Sequence, residues 1–61
     1  MTRRLIGWRV RWEFFTPRLG WRDAERGPVT LVYAWELAAG RRRDSYNRNV
    51  RIMRVFRRIK R

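Results

Sequence analysis

Residues 5–15 read LIGWRVRWEFF, and the fold turns on them. Ile6, Trp8, Val10, Trp12 and Phe14 alternate with Gly7, Arg9, Arg11 and Glu13. Successive side chains of a strand point to opposite faces, so aromatic and β-branched residues at period two predict a half-buried strand. Its apolar face needs a cover. Thr16-Pro17 ends the strand, because proline has no amide hydrogen for a ladder and suits a turn. Residues 19–25 (LGWRDAE) then return as a short second strand with Trp21 facing inward, and Arg26-Gly27-Pro28 makes a second break.

Residues 29–39 (VTLVYAWELAA) fit two patterns. As a strand, Val29, Leu31, Tyr33, Trp35 and Leu37 share a face. As a helix, Thr30 caps the start and Leu31, Ala34, Trp35 and Ala38 form an i, i+3, i+4, i+7 stripe. Ala34 to Ala39 are mostly good helix formers, Gly40 suits the position after the last turn, and Arg41, Arg42 and Arg43 favour a negative helix end. We take the helix. The strand alternative over 29–38 would give a small all-β barrel. Asp44 to Asn49 (DSYNRN) is turn chemistry. Residues 50–59 (VRIMRVFRRI) predict a last strand, although Ile52, Val55, Phe56 and Ile59 also fit a basic amphipathic helix.

The expected fold is α+β: a three-stranded antiparallel sheet with one helix packed on its aromatic face, in the order β-β-α-β. Residues 1–61 form a single small basic domain, with 57–61 a basic tail. A chain of this length buries only about 60% of its unfolded surface, so Trp8, Trp12, Trp35 and Phe14 are expected in the core.

Seventeen residues are Lys or Arg against five Asp or Glu, a net charge of +12, and sixteen of the seventeen are Arg. Such a charge opposes compaction and surrounds the molecule with a field that selects anionic partners. The planar guanidinium grips phosphate or carboxylate with two parallel hydrogen bonds and stacks on bases.

Several function classes fall away. There is no cysteine and no histidine, hence no disulfide, no thiolate metal site and no imidazole base. Glu13, Asp23, Glu25, Glu36 and Asp44 lie among arginines, which favour the ionised carboxylate over the acid needed for proton transfer. Asp23 and Glu25 are too few to hold a metal. Thr16, Thr30 and Ser45 have no neighbouring base. The expectation is a non-enzyme without cofactor. Arg9 interrupts the apolar stretch after Arg3 and Arg4, so a signal segment is not expected. Leu31 to Trp35 is far too short to span a bilayer. The expected setting is the cytoplasm.

What remains is arginine interleaved with aromatics. Arg9 and Arg11 occupy one face of the first strand. Arg51 and Arg57 join them if Val50, Ile52 and Phe56 face the core, with Phe15 or Met53 among them. Arg41, Arg42 and Arg43 form a second cluster, and Arg57, Arg58, Lys60 and Arg61 a third. These clusters suit the phosphates of DNA or RNA. The alternative partner is an acidic surface of a host protein such as a polymerase, because Trp and Arg dominate interface energies. An exposed Trp21 or Tyr46 would favour it.

Thr30 before an Ala-rich segment, then Arg41-Arg42-Arg43-Asp44, Tyr46 and Asn49-Val50-Arg51-Ile52, resembles small proteins encoded by bacteriophages of GC-rich hosts. The resemblance covers residues 30–56, with Gly40 standing where it expects unbroken helix. It implies a strand–strand–helix–strand order and a role in taking over the host cell, and it transfers no functional residue.

Overall fold

The computed structural model describes residues 2–59. Four elements follow one another: β1 (Arg3–Thr16), β2 (Gly20–Val29), α1 (Leu31–Arg43) and β3 (Asn47–Arg58). The sheet is antiparallel with the order β2-β1-β3, and it does not close into a barrel. Since β2 and β3 both run against β1, they are parallel to each other, and α1 crosses over β1 to connect them.

The period-two segment is the central strand: its backbone pairs with β2 on one edge and β3 on the other, and its alternating side chains serve the two faces of the sheet. Trp8, Val10, Trp12 and Phe14 turn to the helix side. Val10, Ala34 and Ala38 are fully buried, Trp12 nearly so, and Val50 and Ile52 of β3 pack beside them. Strand and helix divide the work. Large side chains come from β1, and small ones on α1 let its backbone sit close to the sheet.

Thr30 caps α1 as expected, its Oγ1 accepting from the Tyr33 amide at 3.3 Å. The helix then passes through Gly40 and ends at Asp44, whose amide donates to the Arg41 carbonyl. Gly40 was therefore misread as its end. Arg41, Arg42 and Arg43 do occupy the last turn. The buried stripe runs Leu31, Ala34, Leu37/Ala38, Arg41, which leaves Trp35 about one residue's rotation outside it at 61% exposure. The expectation of Trp35 in the core fails because a three-stranded sheet covers only one narrow face of a helix.

Trp21 also lies opposite to expectation. The turn pairs Thr16 with Gly20 and Phe15 with Trp21, so Trp21 shares the outer face with Phe15. Thr16 Oγ1 ties this turn, donating to the Gly20 carbonyl at 3.1 Å and accepting from the Leu19 amide at 3.2 Å. Nor does Arg26-Gly27-Pro28 break β2. Trp8 pairs with Val29 and Val10 with Arg26, so an extra residue is accommodated there as a bulge. β3 begins at Asn47, inside the expected turn, and Asn49 adopts a positive φ of 53° at a second irregularity. Arg57 and Arg58 belong to β3 rather than to a tail, while Lys60 and Arg61 lie outside the described residues.

The β1–β3 ladder outruns the β1–β2 ladder. The latter stops at Trp8–Val29, but β1 and β3 continue through Gly7–Val55, Leu5–Phe56 and Arg4–Arg57 to Arg3–Arg58. The Ile59 amide donates to the Thr2 carbonyl at 3.2 Å and carries the pairing one step further. A two-stranded ribbon thus projects from a three-stranded body, and the molecule measures 48 × 24 × 12 Å. No helix among the described residues is long and apolar enough to cross a membrane.

Candidate functional site

Cross-strand partners share a face, so the register assembles the sheet surface turned away from α1. Arg9 lies opposite Met53, and Arg11 opposite Arg51. Arg9, Arg11, Arg51 and Met53 do come together, around a shallow depression of about 130 Å³ to which Arg11, Arg51 and Met53 contribute. Arg57 does not join them, because it pairs with Arg4 out on the ribbon.

The same face collects carboxylates. Arg11 pairs with Glu25 and Glu13 with Asp23 across to β2. Arg11 Nε lies 3.7 Å from Glu25, and Arg48 Nε donates to Glu13 Oε1 at 2.7 Å, with Asn49 Nδ2 adding a bond of 2.8 Å to the same oxygen. Arg48 is a residue the sequence reading passed over. Its guanidinium lies 3.9 Å from the Trp21 ring centroid, and Trp21 meets Phe15 edge-on at 5.5 Å. Glu13, Asp23 and Glu25 thereby offset most of the charge of Arg9, Arg11, Arg48 and Arg51.

The hydrogen bond from Arg48, then that from Asn49, hold the Glu13 carboxyl below its ordinary pKa of 4.5. A carboxylate favoured in the folded state stabilises it above the unfolded pKa, and this contribution is lost as pH falls through the lowered folded value. Melting temperature should therefore drop as the solution is acidified below 4.5, and Glu13→Gln should flatten that decline. Thermal unfolding followed by circular dichroism across this range checks it. Identical pH profiles for the two proteins would contradict the Glu13 anchor.

The second expected cluster divides. Arg41 lies on the buried stripe of α1 with its guanidinium 4.7 Å from the Trp12 ring centroid, and its Nε is buried without a hydrogen-bond partner. Arg42 reaches the Val50 carbonyl at 3.5 Å, the long limit for such a bond, and Arg43 is exposed.

The third cluster gains members. Arg57 and Arg58 stand opposite Arg4 and Arg3, and all four are exposed. Arg3 and Arg4 stand in none of the three clusters expected from the sequence. The clue lay in an arginine doublet near each end of the chain, which becomes one cluster once β3 is placed beside β1. Among the described residues, Arg11 and Arg48 alone pair with a carboxylate, and no group of three or more His, Cys, Asp or Glu is placed to hold a metal ion.

No protein-family model, curated protein or solved structure matches this chain.

Proposed function

We propose that this protein is a small, non-enzymatic nucleic-acid-binding module that contacts phosphates through arginine. The observation that carries the reading is the ribbon end, where Arg3 faces Arg58 and Arg4 faces Arg57 with no carboxylate paired to them among the described residues. Like charges directly opposed on a ladder destabilise it, and a polyanion relieves that cost on binding. Exposed Arg43 adds charge at the far end of α1. Nucleic acid of either kind is met in the cytoplasm, the setting this reading implies.

The test is capture by the tagged chain from a bacterial lysate at moderate salt, with and without nuclease, followed by titration of purified DNA and RNA against salt. Nuclease-sensitive capture and a steep inverse salt dependence are expected. Salt-independent binding, or no binding to either polymer, would overturn the reading.

A second reading rests on a different surface. Val32 and Trp35 on the outer side of α1 are 65% and 61% exposed, and Tyr46 beyond the helix is 64% exposed. Exposed aromatics beside arginine suit an acidic protein surface such as that of a polymerase. One stoichiometric protein partner that survives nuclease treatment, and is lost on Trp35→Ala, would support it.

A further inference from the structure

We infer that the two-stranded ribbon, residues 3–7 with 55–58, enters the major groove of double-stranded B-form DNA. This rests on the nucleic-acid reading and narrows it to one polymer and one groove. The first observation is the distribution of charge over the two ribbon faces. Adjacent residues of a strand point to opposite sides, so the Arg3–Arg58 pair occupies one face and the Arg4–Arg57 pair the other. A cation pair on each face calls for anions on both sides at once. A single strand laid along the ribbon presents one line of phosphates. A duplex groove presents two walls of them.

Dimensions select the groove. With its faces turned to the walls the ribbon spans the groove through its side chains, a thickness of about 10 Å for one sheet layer, which suits the roughly 12 Å width of the major groove but not the roughly 6 Å of the minor groove. The deep, narrow major groove of A-form RNA does not admit such an element. The outer part of the ribbon is also free to enter, because β2 ends its pairing at Trp8 and residues 3–5 pair with β3 alone, while Gly7 at the root is buried against Pro28 and Val29.

Fluorescence anisotropy of the full chain decides it, using a mixed-sequence DNA duplex of about two helical turns, one of its single strands, and an RNA duplex of the same sequence. The DNA duplex is expected to bind at least about tenfold more tightly than the other two, the ratio one mismatched recognition element commonly costs. Methyl green, a major-groove ligand, should be displaced, and a minor-groove ligand such as netropsin should not. The variant R3Q/R4Q/R57Q/R58Q should flatten the log–log salt slope by about 3.6, which removes a roughly 100-fold loss between about 50 and 200 mM salt. Groove competition with the unsubstituted protein stands even if that variant folds poorly. Equal affinity for the single strand, displacement of netropsin instead, or an unchanged slope in a folded variant would overturn the groove assignment and leave nucleic-acid binding intact. Absence of binding to all three polymers would overturn both.

Discussion

Gly27→Ala is expected to cost about 2–6 kcal/mol, the sum of a positive-φ strain and an overpacked contact. Gly27 adopts φ +140°, and a Cβ there would lie 2.6 Å from the Trp8 carbonyl oxygen and 2.9 Å from the Arg9 Cα. Both are backbone atoms, so no side chain can swing aside. Stability of about 0.05–0.15 kcal/mol per residue leaves a chain of this size only about 3–9 kcal/mol in all. Thermal unfolding should therefore show a fall in melting temperature of at least about 8 °C, on the scale of about 4–8 °C per kcal/mol for small domains. Gly40→Ala is the opposing control. It lies within α1 with nothing within 4 Å of an added Cβ, and should raise stability by about 0.5–1 kcal/mol. A Gly27→Ala protein that melts with the parent would mean the bulge is looser than this geometry.

The effect reaches beyond stability because Gly27 sits where the ribbon leaves the body. Gly7 is packed against the end of β2 from the other strand: φ is +159°, and an added Cβ would come 2.9 Å from the Val29 carbonyl oxygen. β1 and β2 thus touch backbone to backbone at the point where β2 departs toward α1. Mild substitutions here should perturb the ribbon root and weaken polyanion binding without removing any arginine.

The central strand and the helix cap were legible because each depends on local chemistry. Alternation at residues 5–15 needs only the period of a strand, and Thr30 needs only the orphan amides of a helix start. Trp35 and Gly40 were misread because hydrophobicity and turn preference are local, while the width of the covered helix face is set by a sheet of three strands. Trp21 was misread for a related reason. A one-residue difference in turn register sends every side chain of a strand to the other face, and Thr16–Gly20 pairing fixed that register.

The candidate site was legible as composition and poorly as geometry. Alternation along residues 5–15 puts Arg9, Arg11 and Glu13 on one face, but no local pattern announced that Asp23 and Glu25 would join them there. Those two carboxylates come from β2 and reach that face through register alone. Arg3 and Arg4 escaped notice because their partners lie at the opposite end of the chain, and only the order β2-β1-β3 brings Arg57 and Arg58 beside them.

Trp12→Ala is expected to cost about 3–5 kcal/mol, the usual range for truncating a buried large aromatic and at least about a third of the stability open to a chain of this size. Trp12 stands at the crossing of β1 and α1, packed among Val10, Ala34 and Ala38. Small alanines cannot expand to refill the space. Circular dichroism and denaturant titration measure the loss, and a Trp12→Ala protein as stable as the parent would show that the core is centred elsewhere. The same ring determines how Arg41 should be counted. Its guanidinium covers Trp12 and lacks a hydrogen-bond partner at Nε, so it completes the apolar stripe of α1. Removing its charge while keeping its length, as in Arg41→Met, should cost at most about 2 kcal/mol, the upper range of a desolvated cation–π contact. The salt slope of nucleic-acid binding should not change. Exposed Arg43 differs: if it meets a phosphate, Arg43→Gln flattens the slope by about 0.9. A slope that falls with Arg41→Met instead would place Arg41 on the ligand and require its stack on Trp12 to open when nucleic acid binds.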